Sequence, residues 1–120
     1  MSKFHNKDCD YDGHHFDSMA ERDRYVELKL MQEMGVIEGL ELQKKYVLVP
    51  KGRYTSGQAY AEISYIADFV YKYNGEVIVE DVKGYKTDIY RMKKKMMANV
   101  YGIEVQEVRV DTSSRYLRKR

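Results

Sequence analysis

Residues 61–84 read AEISYIADFVYKYNGEVIVEDVKG, and the fold turns on how this stretch is read. Two runs rich in β-branched and aromatic residues flank Asn74-Gly75, the pair that a two-residue type I′ turn demands because both central residues need positive φ. The turn sets the register: with Tyr73 opposite Glu76, Phe69 faces Glu80 and Asp68 faces Asp81. Side chains alternate faces with period two, so Lys83 shares the face of the two aspartates with Ile66, Val70 and Val79. Glu80 points the other way.

Punctuation and periodicity organise the rest of the chain around this hairpin. DSMAERDRYVELKLMQEMG predicts a helix over 18–34 that Gly35 stops, with Ala20, Val26, Leu28, Leu30, Met31 and Met34 as its buried side. LELQKKYVLVP predicts a strand ending at Pro50, followed by a polar loop, KGRYTSGQ. After Gly84, TDIYRMKKKMMANVYG predicts a second helix with Thr87 as N-cap and Gly102 as terminator; Ile89, Met92, Met96 and Val100 mark its expected buried stripe. IEVQEVRV alternates as a last strand. The expected fold class is therefore α/β, an αβββαβ core with a mixed sheet flanked by helices. The expected organisation is an irregular N-terminal arm over 1–16, one domain over 17–110 and a basic tail over 111–120.

Composition narrows the function classes. A chain of 120 residues, 43% hydrophobic and 12% aromatic, builds one modest core and leaves no room for separate substrate and catalytic domains. No apolar run approaches the roughly 20 residues of a membrane span. The polar start MSKFHNKDCD does not resemble a signal peptide. The single cysteine, Cys9, forms no internal disulfide, so the expected compartment is the cytoplasm.

The net charge is only +2, but its cations are unevenly spread. Lys83, Lys86, Arg91, Lys93, Lys94 and Lys95 crowd one stretch, and SSRYLRKR closes the chain. Such patches favour a polyanion such as DNA; a solvated helix face and tail is the plain alternative. Among twelve tyrosines, Tyr85 and Tyr90 beside the lysines are candidates for stacking on unpaired bases, while most of the others are expected to pack.

The chemistry resides in the acids. Opposed carboxylates, with Cβ atoms ~5 Å apart, repel one another and weaken the pairing. Either one carboxyl keeps its proton or a divalent cation sits between them. Lys83 offsets part of the charge and still leaves the pocket anionic, which suits Mg²⁺ and phosphodiester hydrolysis. The alternative is a solvated cluster at a sheet edge.

Two other patterns carry less. Asp8-Cys9-Asp10-Tyr11-Asp12-Gly13 opens like an EF-hand loop, but Met19 occupies the position that needs a bidentate glutamate. Cys9, His14 and His15, with His5 nearby, lack the spacing of a structural zinc site. Nothing places Ser18 as a nucleophile.

The ordered set FDSMAERDRYVEL (16–28), LELQKKYVLVP (40–50), YIADFVYKYNGEVIVEDVKG (65–84) and KTDIYRMKKKMMANVYGIEV (86–105) resembles the PD-(D/E)XK nucleases, closest to small bacteriophage members. The resemblance spans 16–107 and implies a restriction-endonuclease-like core. It implies that Asp68 and Asp81 bind metal, that Lys83 positions or activates the attacking water, and that Glu21 adds the acid of the first helix. Gln43 matches a strand glutamine near the active site. Ala67 replaces the proline of the signature, at a position that donates no ligand. Glu21 also completes a capping box with Ser18, S-x-x-E, so two roles compete for one carboxylate.

The resemblance further implies a Mg²⁺-dependent endonuclease, with Mn²⁺ substituting, that cuts branched DNA as a Holliday-junction resolvase. Lys86, Arg91, Lys93, Lys94 and Lys95 would contact backbone phosphates. Paired cuts at a four-way junction imply a two-fold homodimer. A nuclease acting on ends, nicks or flaps and a non-catalytic DNA-binding module are the alternatives.

Overall fold

The computed structural model describes residues 7–82 and 86–110. Lys83, Tyr85, His5 and the tail over 111–120 lie outside these residues. The chain forms a small mixed α/β domain whose elements run β1 (Cys9–Tyr11), β2 (His14–Phe16), α1 (Met19–Glu33), β3 (Glu38–Val49), β4 (Gly52–Arg53), β5 (Ala59–Tyr60), β6 (Ile63–Tyr73), β7 (Glu76–Val82), α2 (Asp88–Tyr101) and β8 (Gln106–Val108). The main sheet has the order β3-β6-β7-β8, with antiparallel pairing at the first two joints and parallel pairing of β7 with β8. The αβββαβ core expected from sequence is present, supplemented by two short hairpins.

The turn between β6 and β7 is as its residues dictate: Asn74 has φ 51° and Gly75 φ 81°. Tyr73 pairs with Glu76 and Phe69 with Glu80, the predicted register. Both helix starts are capped by hydroxyls. Ser18 Oγ accepts from Glu21 N at 3.1 Å and Thr87 Oγ1 from Tyr90 N at 3.0 Å, each cap contributing about 1 kcal/mol.

The helices cover opposite faces of the sheet. Tyr25 and Leu28 of α1 pack with Phe16, Ile37, Phe69 and Tyr71; Tyr90 and Met97 of α2 pack with Tyr46, Leu48, Tyr65, Ala67, Val70, Val79 and Val105. Fully burying a side chain such as Phe69 or Leu28 stabilises by roughly 1.5–3 kcal/mol. Among the described residues, no helix is long and apolar enough to cross a membrane.

Four expectations are corrected here. Residues 9–16 of the arm are not irregular, since β1 and β2 pair antiparallel and dock on α1. The polar loop after β3 contains the small β4/β5 hairpin. In α1, Leu30 and Met34 are exposed, because the buried side is centred on Tyr25 and Leu28. In α2 three of the four expected stripe residues face outward: Ile89 is 64%, Met92 53% and Val100 49% exposed, while Met96 packs on the core and Tyr90 and Met97 are buried. The two candidate stripes lie about 100° apart on the helix. The inward one is favoured because Tyr90 and Met97 pack in the core while the Tyr90 hydroxyl and the Lys94 ammonium both reach Glu107.

Candidate active site

Regular alternation fails at one level of the sheet. Tyr65, Ala67, Phe69 and Tyr71 have the same parity on β6, yet the first two lie in the core beneath α2 and the last two in the core beneath α1. On β3, Tyr46 and Leu48 belong to the α2 side, whereas Leu40 and Leu42 pack on the α1 side. Both strands exchange faces together, between the in-step pairs Lys44↔Ala67 and Leu42↔Phe69. The residues at that level are Gln43 and Asp68. Gln43 has φ 54°, left-handed backbone in the middle of a strand, a conformation that costs a non-glycine residue roughly 1–3 kcal/mol. Ile66, expected to share a face with Val70 and Val79, lies beyond the exchange and is exposed.

The same level is where β6 and β7 part. Their ladder ends at Phe69↔Glu80, and from Glu80 onward β7 pairs with β8 instead. Asp68 and Asp81 are therefore not a ladder pair as the extrapolated register required. Asp68 reaches across the opening, its Oδ2 accepting from the backbone N–H of Val82 at 2.8 Å. Gln43 Nε2 donates to Oδ1 of Asp68 at 3.4 Å. Asp81 is buried, and its Oδ2 accepts from the Tyr65 hydroxyl at 2.8 Å.

The two carboxylates nevertheless adjoin. Burial, then the Asp81 carboxylate, which is close enough to share a proton, and then the charges of Asp81 and Glu21 push the Asp68 carboxyl up to about 8; the Val82 N–H works in the other direction. Burial and Asp81 likewise raise the Tyr65 hydroxyl far above the usual phenol range, so it remains a donor to Asp81. Glu21 faces the same place from the first turn of α1 and lines one groove with Gln43 and Asp68. Its Oε1 also accepts from Asp17 N at 3.2 Å, so the glutamate bonds back to the helix start, one residue before the Ser18 N–H of a regular capping box.

A clamp behind the site sets α1 against β7. Glu80 is 2% exposed, and Arg24, one turn after Glu21, donates to it through Nε at 2.9 Å and Nη2 at 2.7 Å. The Tyr71 hydroxyl donates to the same carboxylate. Glu80 thus points away from Asp81, as the hairpin register implied.

Among the described residues, no group of three or more His, Cys, Asp or Glu side chains forms a preassembled metal-binding set. The donor chemistry still fits a hard divalent cation. Two adjoining carboxylates, one buried and one half-buried, repel one another, and an ion held by oxygen ligands relieves that repulsion. Asp68 and Asp81 are the residues suited to hold it.

The expected phosphate contacts divide in two. Lys86 Nζ and Lys94 Nζ lie 2.6 and 2.9 Å from Glu107, and Arg91 pairs with Asp88 at 3.1 Å. Lys86, then Lys94, hold the Glu107 carboxyl down at about 2. Lys95 is exposed and Lys93 half-buried, with no carboxylate partner among the described residues.

Sequence patterns did not reveal Tyr65, because the β6/β7 ladder has already ended before it. They also missed the arm: His14 and His15 line the groove that contains Asp68, and only the docking of β2 on α1 brings them there.

A comparison with curated proteins finds no match. A family match covers residues 1–118 and carries the description "Protein of unknown function (DUF1064)". With nearly the whole chain matched, the protein belongs to the DUF1064 family.

Proposed function

We propose that this protein is a divalent-metal-dependent endonuclease that hydrolyses phosphodiester bonds in branched DNA, acting in the cytoplasm as a junction-resolving homodimer. The observation that carries this reading is half-buried Asp68 adjoining buried Asp81 at the point where β6 and β7 part, with Glu21 facing them. Mg²⁺ or Mn²⁺ bound there would supply Lewis-acid activation of the phosphate and lower the pKa of a bound water.

The chain's own residues do the positioning. Gln43 and the Val82 N–H hold the two oxygens of Asp68, while Tyr65 holds one oxygen of Asp81. This fixes the carboxylates before substrate arrives, which is how a site avoids reorganisation during reaction. Lys83, in the motif position for orienting water and stabilising developing negative charge, lies outside the described residues; its role comes from the resemblance. The same resemblance implies 5′-phosphate and 3′-hydroxyl products. Two coordinated cuts require two sites, hence the dimer.

The test is incubation with Mg²⁺ or Mn²⁺ and synthetic four-way junction, flap and linear duplex. Paired symmetric nicks in the junction support a resolvase, whereas digestion from ends or flaps supports the end-acting alternative. No cleavage of any substrate would sink both and leave the DNA-binding module.

A further inference from the structure

The groove that begins at Asp68 and Glu21 continues between the β1/β2 hairpin, α1 and β3, and its far part carries different chemistry. Its volume is ≈ 520 Å³, inside the roughly 300–1,000 Å³ range of small-ligand sites. His14 forms an exposed wall, its ring backed by Tyr25 and Phe16 at centroid distances of 5.2 and 6.1 Å. Leu40 and Leu42 supply half-buried apolar surface. Lys29 contributes an ammonium with no carboxylate partner among the described residues.

An aromatic ring, an apolar strip and one cation, opening onto Asp68 and Glu21, match the parts of a nucleotide. The base has a π-face for His14 and the leucines, and the phosphate has a counter-charge in Lys29. A base held in duplex is stacked and paired, so only an unpaired nucleotide can place its base in such a recess. We propose that the groove takes one unpaired DNA nucleotide next to the scissile phosphodiester. The proposal rests on the nuclease reading and gives that site its selectivity for DNA with unpaired positions. The N-terminal arm then becomes a substrate-binding element.

The test uses the full chain in Ca²⁺ and two DNAs: a junction carrying one unpaired 2-aminopurine at the branch, and the same strand fully paired. The emission should change on binding the unpaired base and stay constant for the paired one. His14→Ala should lose about tenfold in affinity for the unpaired DNA, as expected for removal of one stacking partner, with duplex affinity within about twofold of the parent. Lys29→Met, on a different element, should weaken the same DNA selectively. Unchanged emission, or variants that weaken both DNAs equally, in a protein that still cuts junctions with Mg²⁺, overturns the groove assignment and leaves the nuclease reading standing. Selective emission change without cleavage of any substrate overturns the nuclease reading and supports the groove as a nucleotide site.

Discussion

Gln43 and Asp68 meet at the level where β3 and β6 exchange faces, the glutamine donating to the aspartate at 3.4 Å from a left-handed backbone. Strained backbone held at a site is commonly part of its mechanism. Here the left-handed residue aims an amide at a carboxylate proposed to hold metal, and the face exchange brings Asp68 toward the groove shared with Glu21.

Substitution of Gln43 separates strain from function. Glycine adopts φ 54° freely and alanine does not. Gln43→Gly should be more stable than Gln43→Ala by about 1 kcal/mol, the reverse of the usual order inside a strand. Both variants should cut DNA more slowly than the parent. Urea denaturation and single-turnover cleavage measure the two effects, and equal stabilities would remove the strain argument.

Asp81→Asn should abolish cleavage, with a loss of at least about a hundredfold, while junction binding is retained or tightened. The change removes a metal-binding charge and a source of repulsion toward phosphate together. Gel-shift titration beside cleavage assays checks this, and parallel loss of both activities would contradict it.

The pH dependence follows from Asp68. Its carboxyl is raised from the ordinary value near 4 to about 8 in the folded chain. A raised carboxyl contributes stability that is fully present below its unfolded pKa and is lost as pH rises through the folded one. Metal-free protein should therefore lose stability between about pH 4 and 8, and Mg²⁺ should restore it increasingly toward pH 8. Asp68→Asn keeps an acceptor for the Val82 N–H and should raise the metal-free Tm at pH 8 by roughly 4 °C or more. It should also abolish the Mg²⁺-dependent rise in Tm. Thermal melts across this range, with and without Mg²⁺, decide the matter.

The Arg24–Glu80 clamp should be sensitive to halving. Breaking a buried pair by removing one partner typically costs about 3–5 kcal/mol, because the other charge is left uncompensated. Arg24→Met alone should lower the Tm by roughly 10 °C, and Arg24→Met with Glu80→Gln should recover a large part of it. Additive losses in the double variant would argue against the clamp.

Glu107 restrains two cations, so Glu107→Gln should release Lys86 and Lys94 toward phosphate. DNA affinity should rise, and the slope of log affinity against log salt should steepen by about 1–2, one for each added phosphate contact. Fluorescence anisotropy over a salt series measures both quantities. An unchanged slope would show that these lysines serve the fold alone.

Local chemistry made a large share of this protein legible in its sequence. Asn74-Gly75 allows one tight turn, and that turn sets the hairpin register and sends Glu80 and Asp81 to opposite faces. Ser18, Thr87 and Gly102 bound the helices through backbone groups only a few residues away. Tertiary structure alone decided the rest. Which stripe of α2 turns inward depends on Glu107, well outside the helix. The face exchange at Gln43 and Asp68 needs two strands to switch together, and the route of β7 toward β8 ends the ladder one step before the aspartates. The docked arm, with His14 beside the groove, follows from contacts with α1. Each of these features is set by residues distant in sequence, where local propensity and periodicity carry no information.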